Sequence, residues 1–407
     1  MGNLVRKFPG SPLVADANME IANTHLANER FREAIPYLNN IVKGTGNNSL
    51  KPEAYLKLGV ASYNLNDYPQ AITHLRHLVT NYSDAPESED ALNHLRIIYL
   101  EQGKPNEYAA VAREAGKPLT VDAEDSLTYV AADIQYRNGN TNNALSAFES
   151  YLQQFPNGTY AIDAHYNIGE IYLARKNWAK ALEHFSAVAE RAPNPYGDRA
   201  VLGAARINFF ELKNYAEAER FFSQLKNLTS SQELRLEAMR GLLRSQYQQQ
   251  KWSDAVENAK DLVAQKGSSA DDKALANMAI AKSAQIAGQY DVAISSFKNV
   301  VSVNKAALAA EARYEIANSW FSLGRMSDAE KAAFEVINKS GSYDWWVTKA
   351  YILLGDVYFK QKDYFNAKAT FQSIVENSLN AELKAEAQKK LDAVIAEESQ
   401  SSKVNNQ

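Results

Sequence analysis

The amino-acid sequence predicts an all-α fold: an α-α superhelix, or solenoid, of about ten helical hairpins followed by a C-terminal capping helix. Three observations predict this architecture: a fixed repeat period, a small residue at a constant position, and bulky residues at constant distances from it. A fixed period between about 20 and 50 residues is typical of solenoids, in which each repeat buries its apolar face only against its neighbours. The chain is therefore expected to form an extended array.

The period is set by an alanine in the second helix of each hairpin, which we call the repeat alanine. It occurs at Ala34, Ala71, Ala144, Ala181, Ala218, Ala255, Ala293, Ala329 and Ala367. Tyr108 takes the position between Ala71 and Ala144, and successive members of the series are 36 to 38 residues apart. A drift this small over ten units indicates a repeat of about 37 residues.

Two further positions keep constant distances from the repeat alanine. The small position lies twelve residues earlier, in the first helix, and holds Ala22, Gly59, Ala132, Gly169, Ala281, Ala317 and Gly355, with Arg96, Arg206 and Leu243 as departures. The large position lies four residues later and holds Leu38, Leu75, Phe148, Phe185, Phe222, Phe297 and Phe371. Glycine inside a helix costs about 0.5–1 kcal/mol relative to alanine, so its recurrence at one position predicts close approach of the paired helix.

The composition excludes several classes of function. The 407 residues carry a formal net charge of −4 from 44 basic and 48 acidic side chains, and no long basic run is present. Nucleic-acid binding depends on clustered Lys and Arg, so none is expected. No apolar stretch is long enough to span a bilayer, and the absence of cysteine excludes thiol chemistry and disulfides.

The repeat pattern resembles the tetratricopeptide repeat (TPR), most clearly in AHYNIGEIYLARKNWAKALEHFSAV (164–188) and AYILLGDVYFKQKDYFNAKATFQSI (350–374). Links such as QFPNGTYAIDAHYNIG (154–169) are similar to those of bacterial cell-envelope members of the Tol–Pal and outer-membrane-assembly lipoprotein type, in which a Phe/Tyr-Pro-x-Ser step precedes a long first helix. This resemblance implies a periplasmic or outer-membrane-associated location. The residues themselves are equally compatible with the cytoplasm.

The same pattern predicts the organisation of the chain. Residues 1–11 look like the tail of a preceding repeat or the start of the chain, because KFPGSPLVADA (7–17) repeats the linker step. Residues 12–380 form the array, and residues 381–398 form a charged capping helix, as a terminal repeat needs a polar outer face. Residues 399–407 are polar and predicted to be disordered.

No catalytic constellation appears in the sequence, so we expect neither an enzyme nor a cofactor. Phosphate-binding glycine loops, nucleophile elbows and zinc-protease helices are missing. His74 and His77 have a spacing that could support a metal ion, but no third ligand matches that helix face, and no metal site is predicted.

We expect a protein or peptide partner to bind along exposed positions of the first helices, because repeat arrays use extended concave surfaces for binding. The candidates are Asp133, Tyr136, Glu170, Arg244, Tyr247, Lys282, Asn318, Trp345 and Trp346. Asp133 and Glu170 could form an acidic stretch, and Arg244 and Lys282 a basic one. A solvated helix face explains the charged residues equally well, and packing explains the aromatic ones.

The sequence therefore favours a non-catalytic protein-interaction scaffold, with cell-envelope assembly as the setting that the resemblance implies. Two alternatives remain. The array could be a structural spacer that stays monomeric or associates end to end, or it could recruit substrates for an enzyme encoded upstream. Partner identity does not follow from the sequence, since the repeat pattern reports packing and not specificity.

Overall fold

A computed structural model of the protein describes residues 13–44 and 47–404, and within these ranges the chain is helical and contains no strand. This confirms the predicted all-α fold. The predicted tail of a preceding repeat, residues 1–11, lies outside the described residues. The chain divides into two compact units, Met1–Tyr196 and Gly197–Gln407.

The first unit contains five helical hairpins among its described residues. Their helices are α1 (Leu13–Ala27), α2 (Phe31–Lys43), α3 (Lys51–Asn64), α4 (Tyr68–Asn81), α5 (Glu87–Glu101), α6 (Pro105–Glu114), α7 (Val121–Arg137), α8 (Thr141–Gln154), α9 (Ala161–Ala174) and α10 (Trp178–Ala189). Odd-numbered helices are the first helices of their repeats, and even-numbered helices are the second. A short 3₁₀ turn, Asn48–Leu50, precedes α3.

The second unit repeats this arrangement with five hairpins and one further helix. Its helices are α11 (Gly197–Arg206), α12 (Tyr215–Leu228), α13 (Gln232–Gln248), α14 (Trp252–Ala264), α15 (Ala270–Ile286), α16 (Tyr290–Val303), α17 (Ala307–Ser322), α18 (Met326–Lys339), α19 (Asp344–Lys360), α20 (Tyr364–Asn377) and α21 (Ala381–Val404). A π-helical turn, Ile207–Glu211, follows α11.

Every hairpin turns through one residue in the left-handed region of backbone space. These residues are Glu29, Asn66, Gly103, Gly139, Lys176, Lys213, Gln250, Gly288, Gly324 and Lys362. In nine of the ten turns a backbone N–H bonds the carbonyl five residues earlier, as Asp67 does to Ser62 at 2.9 Å. This bond satisfies a carbonyl that the end of the first helix would otherwise leave unpaired, and it gives the hairpins a common geometry.

The predicted contact between the small and large positions is seen in the cores of three hairpins whose small residue is glycine. Gly59 lies against Leu75, Gly169 against Phe185 and Gly355 against Phe371. All three large residues and all ten residues of the repeat-alanine series are buried. A side chain at the glycine would collide with the large residue, so glycine's cost in helix stability is offset by closer packing of the two helices.

The three departures from the small position have structural explanations. Leu243 is fully buried, and the large position of its repeat is Ala259, so large and small residues are exchanged across the interface. The third repeat likewise has Tyr108 as its repeat residue, buried in one cluster with Leu95 and Val111, while Arg96 is exposed.

The Arg206 departure arises from one additional residue in the chain. In the π turn after α11, the Leu212 N–H donates to the Ile207 carbonyl oxygen. In the hairpin turn that follows, the Asn214 N–H donates to the Asn208 carbonyl oxygen six residues earlier, whereas the other nine turns use the carbonyl five residues earlier. The extra residue shifts the small position to Ala205, which is fully buried, and leaves Arg206 exposed and bonded to Glu237. π turns are commonly such one-residue insertions in α-helices.

The helix α21 packs against the last hairpin through Leu383, Ala387, Leu391 and Val394, which are buried with Phe371. It begins at Ala381 as predicted but runs to Val404, six residues past the predicted end at 398. Residues 399–404 are therefore helical where the sequence predicts disorder, and 405–407 lie outside the described residues. The difference has a simple origin, because extending a helix adds one backbone bond per ordered residue, whereas starting one is costly.

Candidate partner-binding site

The first helices of repeats four and five share a surface rich in tyrosine and carboxylate groups. It consists of Tyr129, Asp133 and Tyr136 of α7, Asp163, Asn167 and Glu170 of α9, and Tyr196 at the end of the first unit; we call it the tyrosine–carboxylate surface. The spacing of three or four residues places the members from each helix on one face. Asp133, Tyr136 and Glu170, predicted separately as partner-binding candidates, thus lie in one surface.

Hydrogen bonds and ring stacking fix the geometry of this surface. The Asn167 side-chain amide donates to the Tyr129 hydroxyl at 3.3 Å, which joins α9 to α7. The Tyr129 ring stacks on Tyr160 with 4.6 Å between centroids. The Tyr196 hydroxyl donates to Asp163 at 2.8 Å. These contacts hold the polar groups in place before any partner arrives, which lowers the entropy cost of binding.

The electrostatic environment of the surface is negative. Burial raises the pKa of Tyr129, and the carboxylates of Asp163 and Asp133 raise it further. Burial also raises the pKa of Tyr136, together with Glu170 and Asp133. For Tyr196, burial and the bonded Asp163 raise the pKa to about 12. The hydroxyls remain neutral at physiological pH, so the surface presents carboxylate charge beside uncharged aromatic rings.

The Arg137 side chain lies beside this surface, but it is loosely held. Arg137 contacts the Asp133 carboxylate at 2.7 Å, yet 77% of the Arg137 side chain is exposed. Exposed ion pairs of this kind contribute between about zero and 1 kcal/mol. A Lys or Arg from a partner could therefore replace Arg137 at little cost.

In the second unit, three more candidates contribute to a buried polar network on α13, α15 and α17. The Tyr247 hydroxyl donates to Glu311 at 2.8 Å, and the Asn318 amide donates to Glu315 at 3.2 Å. Lys282 contacts Glu315 at 2.6 Å and Glu311 at 3.1 Å. Burial alone would lower the pKa of Lys282, but these carboxylates outweigh it and hold that pKa above its ordinary value. The network links three consecutive first helices.

This arrangement corrects the expectation of a basic stretch formed by Arg244 and Lys282. Arg244 is exposed, whereas only 15% of the Lys282 side chain is accessible and its charge is matched by two carboxylates. The carboxylates come from the next first helix, where Glu311 and Glu315 follow each other at the four-residue spacing of one helix face. Lys282 therefore contributes to packing between repeats and not to a cationic surface.

The two adjacent tryptophans, Trp345 and Trp346, begin α19 and enter different interfaces. Trp345 packs with the last hairpin and α21, and Trp346 packs against Tyr314 of the preceding repeat with 5.5 Å between ring centroids. Both are partly buried. Trp345 also borders a surface hollow with Leu379, which is fully exposed.

Sequence reasoning missed Tyr129, Asp163 and Tyr196 in the first unit and Glu311 and Glu315 in the second. A signal was present for most of them. Tyr129 lies four residues before Asp133 and Asp163 lies seven before Glu170, which is the spacing of one helix face. Tyr196 lies outside any first helix, and only the folded chain brings it to Asp163.

The described residues contain neither a metal-binding cluster nor a membrane-spanning helix. Residues 13–44 and 47–404 contain no cluster of three or more His, Asp or Glu side chains arranged to hold a metal ion. His77, from the pair whose spacing could support a metal ion, lies with its ring 4.3 Å from that of Tyr55. None of the described helices has the length and apolar character needed to cross a membrane.

The all-α repeat fold, with polar surfaces on its first helices, places this protein in the class of repeat scaffolds. Tetratricopeptide repeat family models match residues 4–86, 135–207, 278–344 and 349–378, which together make up more than half of the chain. The chain belongs to the tetratricopeptide repeat family, whose fold serves protein–protein interaction and is generally non-catalytic.

Several solved structures are similar to this chain. A tetratricopeptide repeat protein from Parabacteroides merdae is 15% identical, with 67% of this chain and 98% of that one covered and a TM-score of 0.38. Yeast Tom70 is 12% identical, with coverages of 95% and 96% and a TM-score of 0.37. A chain of the Naa15/Naa10 complex bound to HypK-THB is 14% identical, with coverages of 97% and 78% and a TM-score of 0.43. No curated protein matches the sequence.

Proposed function

We propose that this protein is a non-catalytic scaffold that binds a protein or peptide partner on the first-helix surface of its first unit. The observation that carries the proposal is the tyrosine–carboxylate surface, where Asp133, Asp163 and Glu170 are held beside Tyr136 and Tyr196. Aromatic rings with a polar end are favoured at protein interfaces. Carboxylates arranged on a preformed surface add selectivity for a cationic partner.

The second unit supports the proposal by contrast. Its three candidates Tyr247, Lys282 and Asn318 bond to Glu311 and Glu315 in a network in which only 15% of the Lys282 side chain and 10% of the Glu315 side chain are accessible, so these charges are little exposed to a partner. Fully connected polar networks stabilise and specify packing. We therefore assign partner recognition to the first unit and rigid support between repeats to this part of the second.

The test is site-specific photo-cross-linking in lysate of the source organism, followed by mass spectrometry. A photoreactive phenylalanine analogue replaces Tyr136 on α7, and in a matched control it replaces Ser150, an exposed residue of the second helix α8. We expect one partner to be cross-linked from position 136 and not from position 150. The carboxamide variant Asp133→Asn/Glu170→Gln should reduce that cross-link without loss of helical content.

Two outcomes would overturn the proposal. Equal cross-linking from both positions would mean that no surface is preferred. Cross-links only between copies of this chain would favour the alternative of a structural or self-associating spacer. A partner with enzymatic activity, linked from position 136, would keep the scaffold function and identify it as a substrate-recruiting module.

A cell-envelope location is the second part of the proposal. It is supported by the Phe-Pro-x-Ser step at 8–11 and by the similarity of links such as QFPNGTYAIDAHYNIG (154–169) to those of cell-envelope proteins. Fractionation of source cells, with antibody detection of this protein, provides the test. Recovery in the periplasmic or outer-membrane fraction is expected, and recovery only with cytoplasmic markers would reject the location and leave the binding surface untouched.

A further inference from the structure

Residues of repeats one to three form an apolar hollow in the same unit as the tyrosine–carboxylate surface. The hollow has a volume of about 370 Å³ and is lined by Leu26, Phe31, Leu56 and Val60, with Lys57, Asp90 and His94 among its other lining residues. Small-ligand and side-chain pockets begin at about 300 Å³. The space therefore suits one or two large aliphatic side chains.

Exposed apolar residues continue from this hollow towards the carboxylates. Val60 of α3, Ile97 of α5 and Asp133 of α7 occupy equivalent positions, each one residue after the small position of its repeat. Ile97 is 41% exposed, and Val130, one helical turn before Asp133, is 38% exposed. Aliphatic side chains at equivalent positions of successive first helices extend the apolar surface beyond the hollow, and extended apolar surface is typical of interaction sites.

The first-helix surface of the first unit thus changes character along the chain. Repeats two to four present the aliphatic residues Leu56, Val60, Ile97 and Val130, and repeats four and five present Asp133, Asp163 and Glu170. A ligand that satisfies both parts needs apolar and cationic groups in separate blocks. A purely basic segment would leave the hollow unfilled, and a purely apolar one would bring no charge to the carboxylates.

We infer that the partner binds through an extended segment in which a block of Leu, Ile or Val residues is separated from a block of Lys or Arg residues. This inference rests on the proposed function and adds the chemistry of the bound segment. The apolar block fills the hollow and covers Ile97 and Val130, and the basic block lies over the carboxylates beside Tyr136. Charge complementarity selects a cationic segment over an acidic one.

The dimensions set the length of the segment. Packed helices have axes about 8–10 Å apart, so crossing the five first helices of this unit requires a span of roughly 40 Å. An extended chain covers about 3.3 Å per residue, so about 12–14 residues are enough. The two blocks should then be separated by only a few residues.

The test uses fluorescein-labelled synthetic peptides of about 14 residues and fluorescence anisotropy with the full chain. One peptide carries a Leu/Ile block and a Lys/Arg block joined by Gly-Ser, and a second carries the blocks in reverse order. In two controls either the basic block is changed to Glu or the apolar block to Ser. One orientation of the two-block peptide should bind at least about tenfold tighter than both controls.

Protein variants assign each block to its site. Val60→Ser/Ile97→Ser should weaken the two-block peptide about tenfold and leave its salt dependence unchanged. Asp133→Asn/Glu170→Gln should weaken it similarly and flatten the salt dependence, because screening acts on exposed charges. Val292→Ser, at a side chain of the second unit that is 52% exposed, serves as the matched control and should have no effect.

Equal binding of the two-block peptide and the Ser control would overturn the apolar part of the inference. Equal binding of the Glu control would overturn the basic part. The cross-linking test distinguishes these results from a failure of the proposed function. A partner captured from position 136 whose cross-linked segment lacks the two blocks would refute the inference alone.

Discussion

Gly169 of α9 lies directly against the ring of Phe185 in α10, so that a Cβ atom added at Gly169 would come within 2.7 Å of a ring carbon. Phe185 is 1% exposed, so its ring cannot move aside into solvent. The contact between a small and a large residue is therefore what sets the distance between the two helices of this repeat, and it recurs at Gly59 and Gly355.

The variant Gly169→Ala should destabilise the first unit although alanine is the better helix former. Overpacking of a core costs about 1–3 kcal/mol, and the gain in helix propensity returns about 0.5–1 kcal/mol. We expect a net loss of about 1–2 kcal/mol in the free energy of unfolding, measured by urea titration. Adding Phe185→Leu, which provides space for the methyl group, should recover part of the loss. A more stable single variant would contradict this view of the contact.

The repeat around α13 and α14 provides the reverse arrangement, with Leu243 in the small position and Ala259 in the large one. Leu243→Ala should cost about 2–5 kcal/mol through an unfilled cavity. Ala259→Leu should cost about 1–3 kcal/mol through overpacking. Combining them restores the order found in the other repeats, so the double variant should be more stable than the sum of the two costs predicts, by at least about 1 kcal/mol. Additive costs in the double-mutant cycle would show that the two side chains do not share space.

These two interfaces show how far the sequence carries a prediction. A repeat must meet the same neighbour at every step, so the period and the alternation of small and large residues appear directly in the residue spacing. The shift to Ala205 was not predictable, because the extra residue is absorbed by a π turn that leaves no local signal. Similarly, position along a first helix indicates which face Lys282 occupies. It does not indicate that Glu311 and Glu315 of the next repeat neutralise its charge.

Lys282 is expected to be the most sensitive position of the buried network in the second unit. Removing one member of a buried ion pair typically costs about 3–5 kcal/mol, because the opposite charge is left without compensation. Lys282→Met should produce a loss of this order in the free energy of unfolding, and adding Glu315→Gln should relieve part of it. Lys298→Met, at an exposed lysine of α16, is the matched control and should change stability by less than about 0.5 kcal/mol. If the two lysine variants behave alike, the network does not stabilise the unit.

The last prediction concerns two histidines that face each other across the fifth hairpin. The Nδ1 atoms of His165 in α9 and His184 in α10 are 3.0 Å apart, and one of them must be unprotonated to accept a hydrogen bond from the other. Burial, followed by His184 and Arg191, lowers the pKa of His165 to about 4. Burial also lowers the pKa of His184, although the nearby Glu183 acts in the opposite direction.

The sign of the pH dependence follows from these directions. Each histidine binds protons less readily in the folded chain than in the unfolded chain, where its pKa is about 6.5. The stabilising contribution of the neutral pair is therefore complete above pH 6.5. Between pH 6.5 and about 4 the unfolded state binds more protons than the folded state, so the free energy of unfolding falls as the pH is lowered. The slope cannot exceed about 1.4 kcal/mol per pH unit for each proton.

Urea titrations over this range should show a steeper loss for the wild-type protein than for His165→Gln/His184→Gln. Carboxylates elsewhere titrate in both proteins, so the difference between the two curves isolates the pair, and parallel curves would disprove its contribution.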